Sequence, residues 1–184
     1  MTTKPLATIA DLELMPDDGN RYEIIEGEII VSRSPSIIHQ IIFGNLLTEL
    51  RLFLRSNPIG VVLGGIGVIL DDLNGVIPDI VFVSNKKRDE IASGERINGA
   101  PDLVIEILSP GKENARRDRV IKRQTYGNFE VSEYWIVDGE NRSVELYRNN
   151  NGVLDLVETV QENGKVISPL LPGFELQVAD IFKF

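Results

Sequence analysis

Asp79 and Glu106 each interrupt an apolar run of β-forming residues, where an acid is out of place. The first stands in Val76-Ile-Pro-Asp-Ile-Val-Phe-Val83 and the second in Ala100-Pro-Asp-Leu-Val-Ile-Glu-Ile-Leu-Ser-Pro110. A carboxylate among Val, Ile and Leu is costly unless its charge is compensated. Two such acids, on strands close in the chain, suggest one shared compensator, and a divalent cation is the simplest. Side chains alternate along a strand, so Asp102, Val104, Glu106 and Leu108 share one face and Leu103, Ile105 and Ile107 the other. If the two strands are neighbours, Asp79 and Glu106 would bind one ion, with a backbone carbonyl such as that of Ile107 as a further ligand. The competing readings are a turn acid after proline for Asp79 and a salt bridge to a helix arginine for Glu106. Asp102, at a strand entry after Pro101, reads more simply as turn chemistry.

A hydrolytic centre also needs a cation or a base near the attacking water. On the helix after Pro110, Ala115, Arg119, Lys122 and Tyr126 form one stripe at spacings of four, three and four. That stripe would aim Arg119 and Lys122 at the sheet. A desolvated lysine beside a metal has its pKa pushed down, and would orient or deprotonate water. The competing reading is a solvated basic face. His39, one turn before Phe43, reads by default as a hydrogen-bonded structural residue. Glu23 and Glu28 read as outward-facing, with completion of an acidic metal cluster as the alternative for one of them. Gly64-Gly65-Ile-Gly67 is no phosphate loop, since no Lys-Ser/Thr follows it. Trp135 reads as core.

The elements that position these groups can be read from periodicity and turn residues. Thr8–Met15 predicts a short helix ending before Pro16, and Tyr22–Ile25 with Glu28–Val31 a hairpin turning at Glu26-Gly27. Ser36 is placed to cap a long helix to about Ser56, with Ile38, Ile42, Leu46, Leu50 and Phe53 on its buried stripe. Strands are expected at Val61–Leu70, Val76–Val83 and Leu103–Leu108, with a short helix over Lys86–Ser93 between the last two. A polar helix, Asn114–Tyr126, ends near Gly127. Glu133–Val137, Val144–Arg148 and Val153–Val160 predict an antiparallel meander, and Phe174–Val178 a final strand. The expected class is α+β, a mixed β-sheet with flanking helices, formed as a single domain over residues 1–184.

Composition narrows the chemistry. The 184 residues include no cysteine and one histidine, which excludes disulfides, thiolate sites and multi-histidine zinc. Any metal would be held by oxygens, pointing to magnesium, manganese or calcium. The formal net charge of −9 is awkward for nucleic-acid binding, yet six of the nineteen basic residues fall within positions 112–123. The start, Met-Thr-Thr-Lys-Pro-Leu-Ala, lacks a long apolar core and no later segment reads as a membrane span, so cytoplasmic residence without a membrane partner is expected.

Taken in order, these residues resemble a bacterial family of restriction-endonuclease-like proteins. The resemblance spans Arg21-Tyr-Glu-Ile-Ile-Glu-Gly-Glu28, His39, Pro78-Asp-Ile-Val81, Pro101 to Pro110, Lys122 with Tyr126, and Glu133-Tyr-Trp-Ile-Val-Asp138. It implies the PD-(D/E)XK nuclease core, in which two acids bind Mg²⁺ (or Mn²⁺) for phosphodiester hydrolysis in DNA. Carried over, Asp79 is the first acid and Glu106 the second. The lysine expected two places after the second acid is Leu108 here, and Lys122 on the next helix is the substitute. Arg119 or Arg116 would contact phosphate, and the resemblance also implies a homodimer. The expectation is therefore a magnesium-dependent endodeoxyribonuclease. The alternative is a catalytically inactive nuclease fold kept as a binding or assembly module, which Leu108 and the acidic charge favour.

Overall fold

The structure, a computed structural model, describes residues 5–92 and 94–184. The expectations for the first four residues and for the end of a helix at Ser93 lie outside the described residues. In chain order the elements begin α1 (Ile9–Leu12), β1 (Arg21–Ile25), β2 (Glu28–Ser32), α2 (Ile37–Ser56), β3 (Gly60–Gly64), β4 (Val68–Asp71), β5 (Asn74–Val76) and β6 (Ile80–Ser84). They continue with α3 (Asn85–Ile91), β7 (Ile97–Asn98), β8 (Leu103–Ile107), α4 (Lys112–Arg116), a π-helical segment (Arg117–Lys122), α5 (Arg123–Asn128) and β9 (Glu133–Asp138). The chain ends with β10 (Ser143–Asn150), β11 (Val153–Gln161), β12 (Lys165–Ile167), β13 (Glu175–Gln177) and α6 (Val178–Ile181).

The expected α+β class holds. A six-stranded mixed sheet has the order β11-β10-β9-β8-β6-β3, in which β8 and β9 run parallel and the other neighbours antiparallel. Its β9–β10–β11 part is the expected meander. A five-stranded sheet, β2-β1-β5-β4-β7, and the small pair β12-β13 complete the strands.

Two predicted strands are each divided between the sheets. Val61–Leu70 breaks at Gly65, which has φ +63°, into β3 and β4. Val76–Val83 breaks at Ile77-Pro78-Asp79 into β5 and β6. Proline has no N–H for a ladder, so the chain leaves one sheet there and enters the other. Asp79 thus stands at the joint between the sheets, just ahead of β6, rather than inside a strand.

On one face of the six-stranded sheet lies α2. Ser36 caps it by accepting a hydrogen bond from the His39 amide at 3.2 Å. Its buried line is His39, Ile42, Leu46, Leu50 and Leu54, so Ile38 is a correction: it lies 55% exposed. By length and composition alone α2 would suffice to cross a membrane, a test that a buried core helix also passes. Its buried line instead packs on Ile80, Phe82, Leu103, Ile105 and Trp135 of the sheet. Each such side chain stabilises the fold by about 1.5–3 kcal/mol when fully buried. Trp135 is core, as expected. The opposite face carries Val81, Val83, Val104, Tyr134 and Ile136, covered by Tyr126 of α5 and by Ile25, Val68 and Val76 of the five-stranded sheet.

Candidate active site

Antiparallel pairing of β6 with β8 aligns Ile80 with Ile105 and Val81 with Val104. One step before Ile80 and one after Ile105 bring Asp79 opposite Glu106. The two interlock through the backbone. The Ile107 amide donates to Asp79 Oδ2 at 2.8 Å, and the Asp79 amide points at Glu106 Oε2 at 3.4 Å. The sequence pairing of these acids is therefore realised in space, and both are buried.

Each carboxylate has one oxygen engaged and one nearly free. Asp79 Oδ2 also meets Nε2 of His39 at 3.1 Å, while Oδ1 has only the Arg21 guanidinium at 3.9 Å. Glu106 Oε1 accepts from the Lys122 ammonium at 2.9 Å and from the Tyr126 hydroxyl at 2.8 Å, leaving Oε2 with the long contact to the Asp79 amide. The half-enclosed cavity over these groups holds about 50 Å³, enough for an ion or a few waters. Arg21, Arg33 and Arg117 also line it.

Lys122 reaches the site because the helix is not a regular α-helix. In an α-helix, residues four apart drift by about 40° around the axis. The wider π-helical turn from Arg117 to Lys122 takes up that drift, so Asp118, Lys122 and Tyr126 are all buried on one line. The predicted stripe is corrected accordingly. Arg119 turns aside and is held by Glu145 at 2.6 Å and Asp138 at 2.7 Å, so its guanidinium is already neutralised. Arg116 is exposed on the surface.

The Lys122 ammonium is shared by Glu106 and Glu23, each at 2.9 Å. Glu23 also accepts from the Ile77 amide at 2.8 Å. The outward reading of Glu23 is thus corrected: only 3% of it is exposed, whereas Glu28 does face solvent. Ile25, two residues on and on the same face of β1, pointed inward, but Ile24 on the other face pointed the opposite way. Asp118 and the cavity-lining Arg117 were also missed, hidden by the assumption of a regular α-helix.

Protonation follows from burial and neighbours. Burial pushes the Glu106 carboxyl up to about 8; Lys122 opposes the shift, and Asp79 adds to it. Burial likewise raises Asp118, against the pull of Lys122 and Arg117. Burial alone would lower the Lys122 pKa, but Glu106, Glu23 and Asp118 outweigh it and hold it raised. Lys122 is therefore held as a cation between these carboxylates. Asp102 lies at the other end of β8, accepting from the Ser84 amide at 2.7 Å and facing Lys87 at 3.6 Å, a tie to the start of α3 rather than the local turn chemistry expected of it.

Among the described residues, no group of three or more His, Asp or Glu side chains is arranged to hold an ion. The oxygens open to an ion would be Asp79 Oδ1 and Glu106 Oε2. That suits magnesium, which commonly takes one or two carboxylates and completes its shell with waters and substrate phosphate.

A mixed sheet flanked by helices, with two acids and a lysine gathered where two strands of that sheet end, defines a restriction-endonuclease-like fold. The structure is similar to a crystal structure described as "a putative nuclease belonging to DUF820" from Anabaena variabilis, with TM-score 0.77 and 20% identity over 95% of this chain and 97% of that one. The family model described as "Uma2: Putative restriction endonuclease" matches residues 9–179, and the chain belongs to that family. No curated protein matches it.

Proposed function

We propose that this protein is a metal-dependent endonuclease hydrolysing phosphodiester bonds in DNA, with Asp79 and Glu106 as metal ligands and Lys122 as the third catalytic residue. The observation that carries the reading is the pair of buried carboxylates with one under-satisfied oxygen each, Asp79 Oδ1 and Glu106 Oε2, on adjoining strands. A bound Mg²⁺ or Mn²⁺ would polarise the phosphoryl oxygen and lower the pKa of a water.

The chain's own groups supply the rest. His39 and the Ile107 amide fix the orientation of Asp79. Lys122, held protonated between Glu23 and Glu106, orients the attacking water or offsets charge building on the phosphate. Arg21 and Arg117 at the cavity draw the anionic backbone toward an otherwise acidic protein. A homodimer would present two such sites to the two strands of a duplex.

The test is nicking of supercoiled plasmid with Mg²⁺ or Mn²⁺ by wild type, Asp79→Ala and Glu106→Ala, with an RNA substrate in parallel. Cleavage by wild type alone supports the reading. Equal outcomes in all three would leave the inactive binding module, the alternative that Leu108 favours.

A further inference from the structure

We propose that the groove between α2 and the β8–α4 connection binds an unpaired nucleobase of the strand whose phosphate lies at Asp79 and Glu106, an inference that rests on the nuclease reading above. The groove has a volume of about 650 Å³, within the range of small-ligand sites. Ile38 and Ile42 line it from α2, and Leu108, Pro110 and Ala115 from the segment after β8. The acid cavity, at about 50 Å³, has no room for a nucleoside. His39 and Ser109 line both spaces, so a chain with its phosphate at the acids has the groove directly beside it.

The groove's chemistry suits a base, with Lys112 in its lining free to meet a backbone phosphate. Arg119, the guanidinium lining the groove, is already neutralised by Asp138 and Glu145, while Asp138, Glu140 and the exposed Lys112 line the groove as well. A guanidinium fixed in this way offers a flat face for stacking. The apolar lining suits the face of a base, and that face is accessible only when the base is unpaired. His39 stands in the wall that the groove shares with the acid cavity. It is 94% buried by its 6% exposure, and its Nδ1 has no hydrogen-bond partner among the described residues. The exposed Ile38 at the groove then has a ligand to cover it.

The experiment titrates the protein, without metal, into a single-stranded DNA oligonucleotide carrying 2-aminopurine and into the same strand paired in a duplex. The expected result is a fluorescence change for the single strand and affinity at least about tenfold weaker for the duplex. Ala115→Phe fills the groove, and Ile38→Asp adds charge at an exposed position. Each should weaken single-strand binding by about tenfold while Mn²⁺ binding by calorimetry stays as in wild type. Equal binding of both forms, or no loss in either folded variant, overturns the proposal. Failure of the nuclease reading looks different: Mn²⁺ binding and cleavage are absent in wild type whatever the oligonucleotide result.

Discussion

Lys122 and Glu23 lie 99 positions apart in sequence, yet their charged groups meet at 2.9 Å in the protein interior. The contact ties the first hairpin to the helix after β8, and Glu106 completes it from the sheet. A buried ammonium with two carboxylates in reach is stable only while its partners stay in place.

Removing Glu23 tests that dependence. Glu23→Ala strands both the Ile77 amide and half of the ammonium's bonding, so it should destabilise the fold by about 3 kcal/mol. Urea denaturation measures it. A loss below about 1 kcal/mol would show the contact to be incidental.

Stability should depend on pH through Glu106. Its folded carboxyl sits at about 8, whereas the unfolded one ionises in the usual carboxylate range. Between those values the folded state holds a proton that the unfolded state has released, so stability falls as pH rises, by at most about 1.4 kcal/mol per unit. Asp118 shifts in the same direction and adds to the slope. Without metal, the denaturation midpoint should decline from pH 5 to pH 8, and Glu106→Gln should flatten that decline.

The same proton opposes an ion. Mn²⁺ binding should release it, and affinity should rise by up to about tenfold per pH unit until Glu106 is ionised, levelling above pH 8. Calorimetry in buffers of different ionisation enthalpy counts the released proton. An affinity flat between pH 6 and pH 8 would remove Glu106 from the ligand set.

The lysine can be relocated. Lys122→Met should reduce cleavage by at least about 100-fold, the scale of a lost proton-handling or charge-stabilising group. Leu108 continues the face of β8 that carries Glu106, so adding Leu108→Lys to that variant should recover part of the rate. No recovery, with the fold intact by circular dichroism, would show that only the helix position serves.

Helix placement can be tested from behind the site. A Cβ on Gly127 would meet the Gly152 carbonyl oxygen at 2.7 Å, backbone that has little room to yield. Gly127→Ala should push α5 away from the β10–β11 turn, costing about 1–3 kcal/mol and lowering cleavage through displaced Tyr126 and Lys122. Unchanged nicking kinetics would mean the helix absorbs the shift locally.

Much of this was legible in the residues, for physical reasons. An acid in a Val/Ile/Leu run is conspicuous, so Asp79 and Glu106 could be paired before their strands were. Apolar β8 between turn residues, and the hairpin at Glu26-Gly27, follow from local chemistry, the turn having positive φ at both residues. Glu23 was not legible, because Ile24 and Ile25 after it are both buried and leave the inward face of β1 undecided. The stripe of the helix after Pro110 was misjudged because a π-helical turn leaves no mark in a period of 3.6.

That wider turn has an evolutionary corollary. A helix tolerates the poorer bonding of such a turn when the realigned side chains repay it, and a one-codon insertion is enough to create one. A cation carried by a helix can thereby meet an acid on a neighbouring strand without either element being rebuilt, which leaves the spacing of such groups along the chain free to vary.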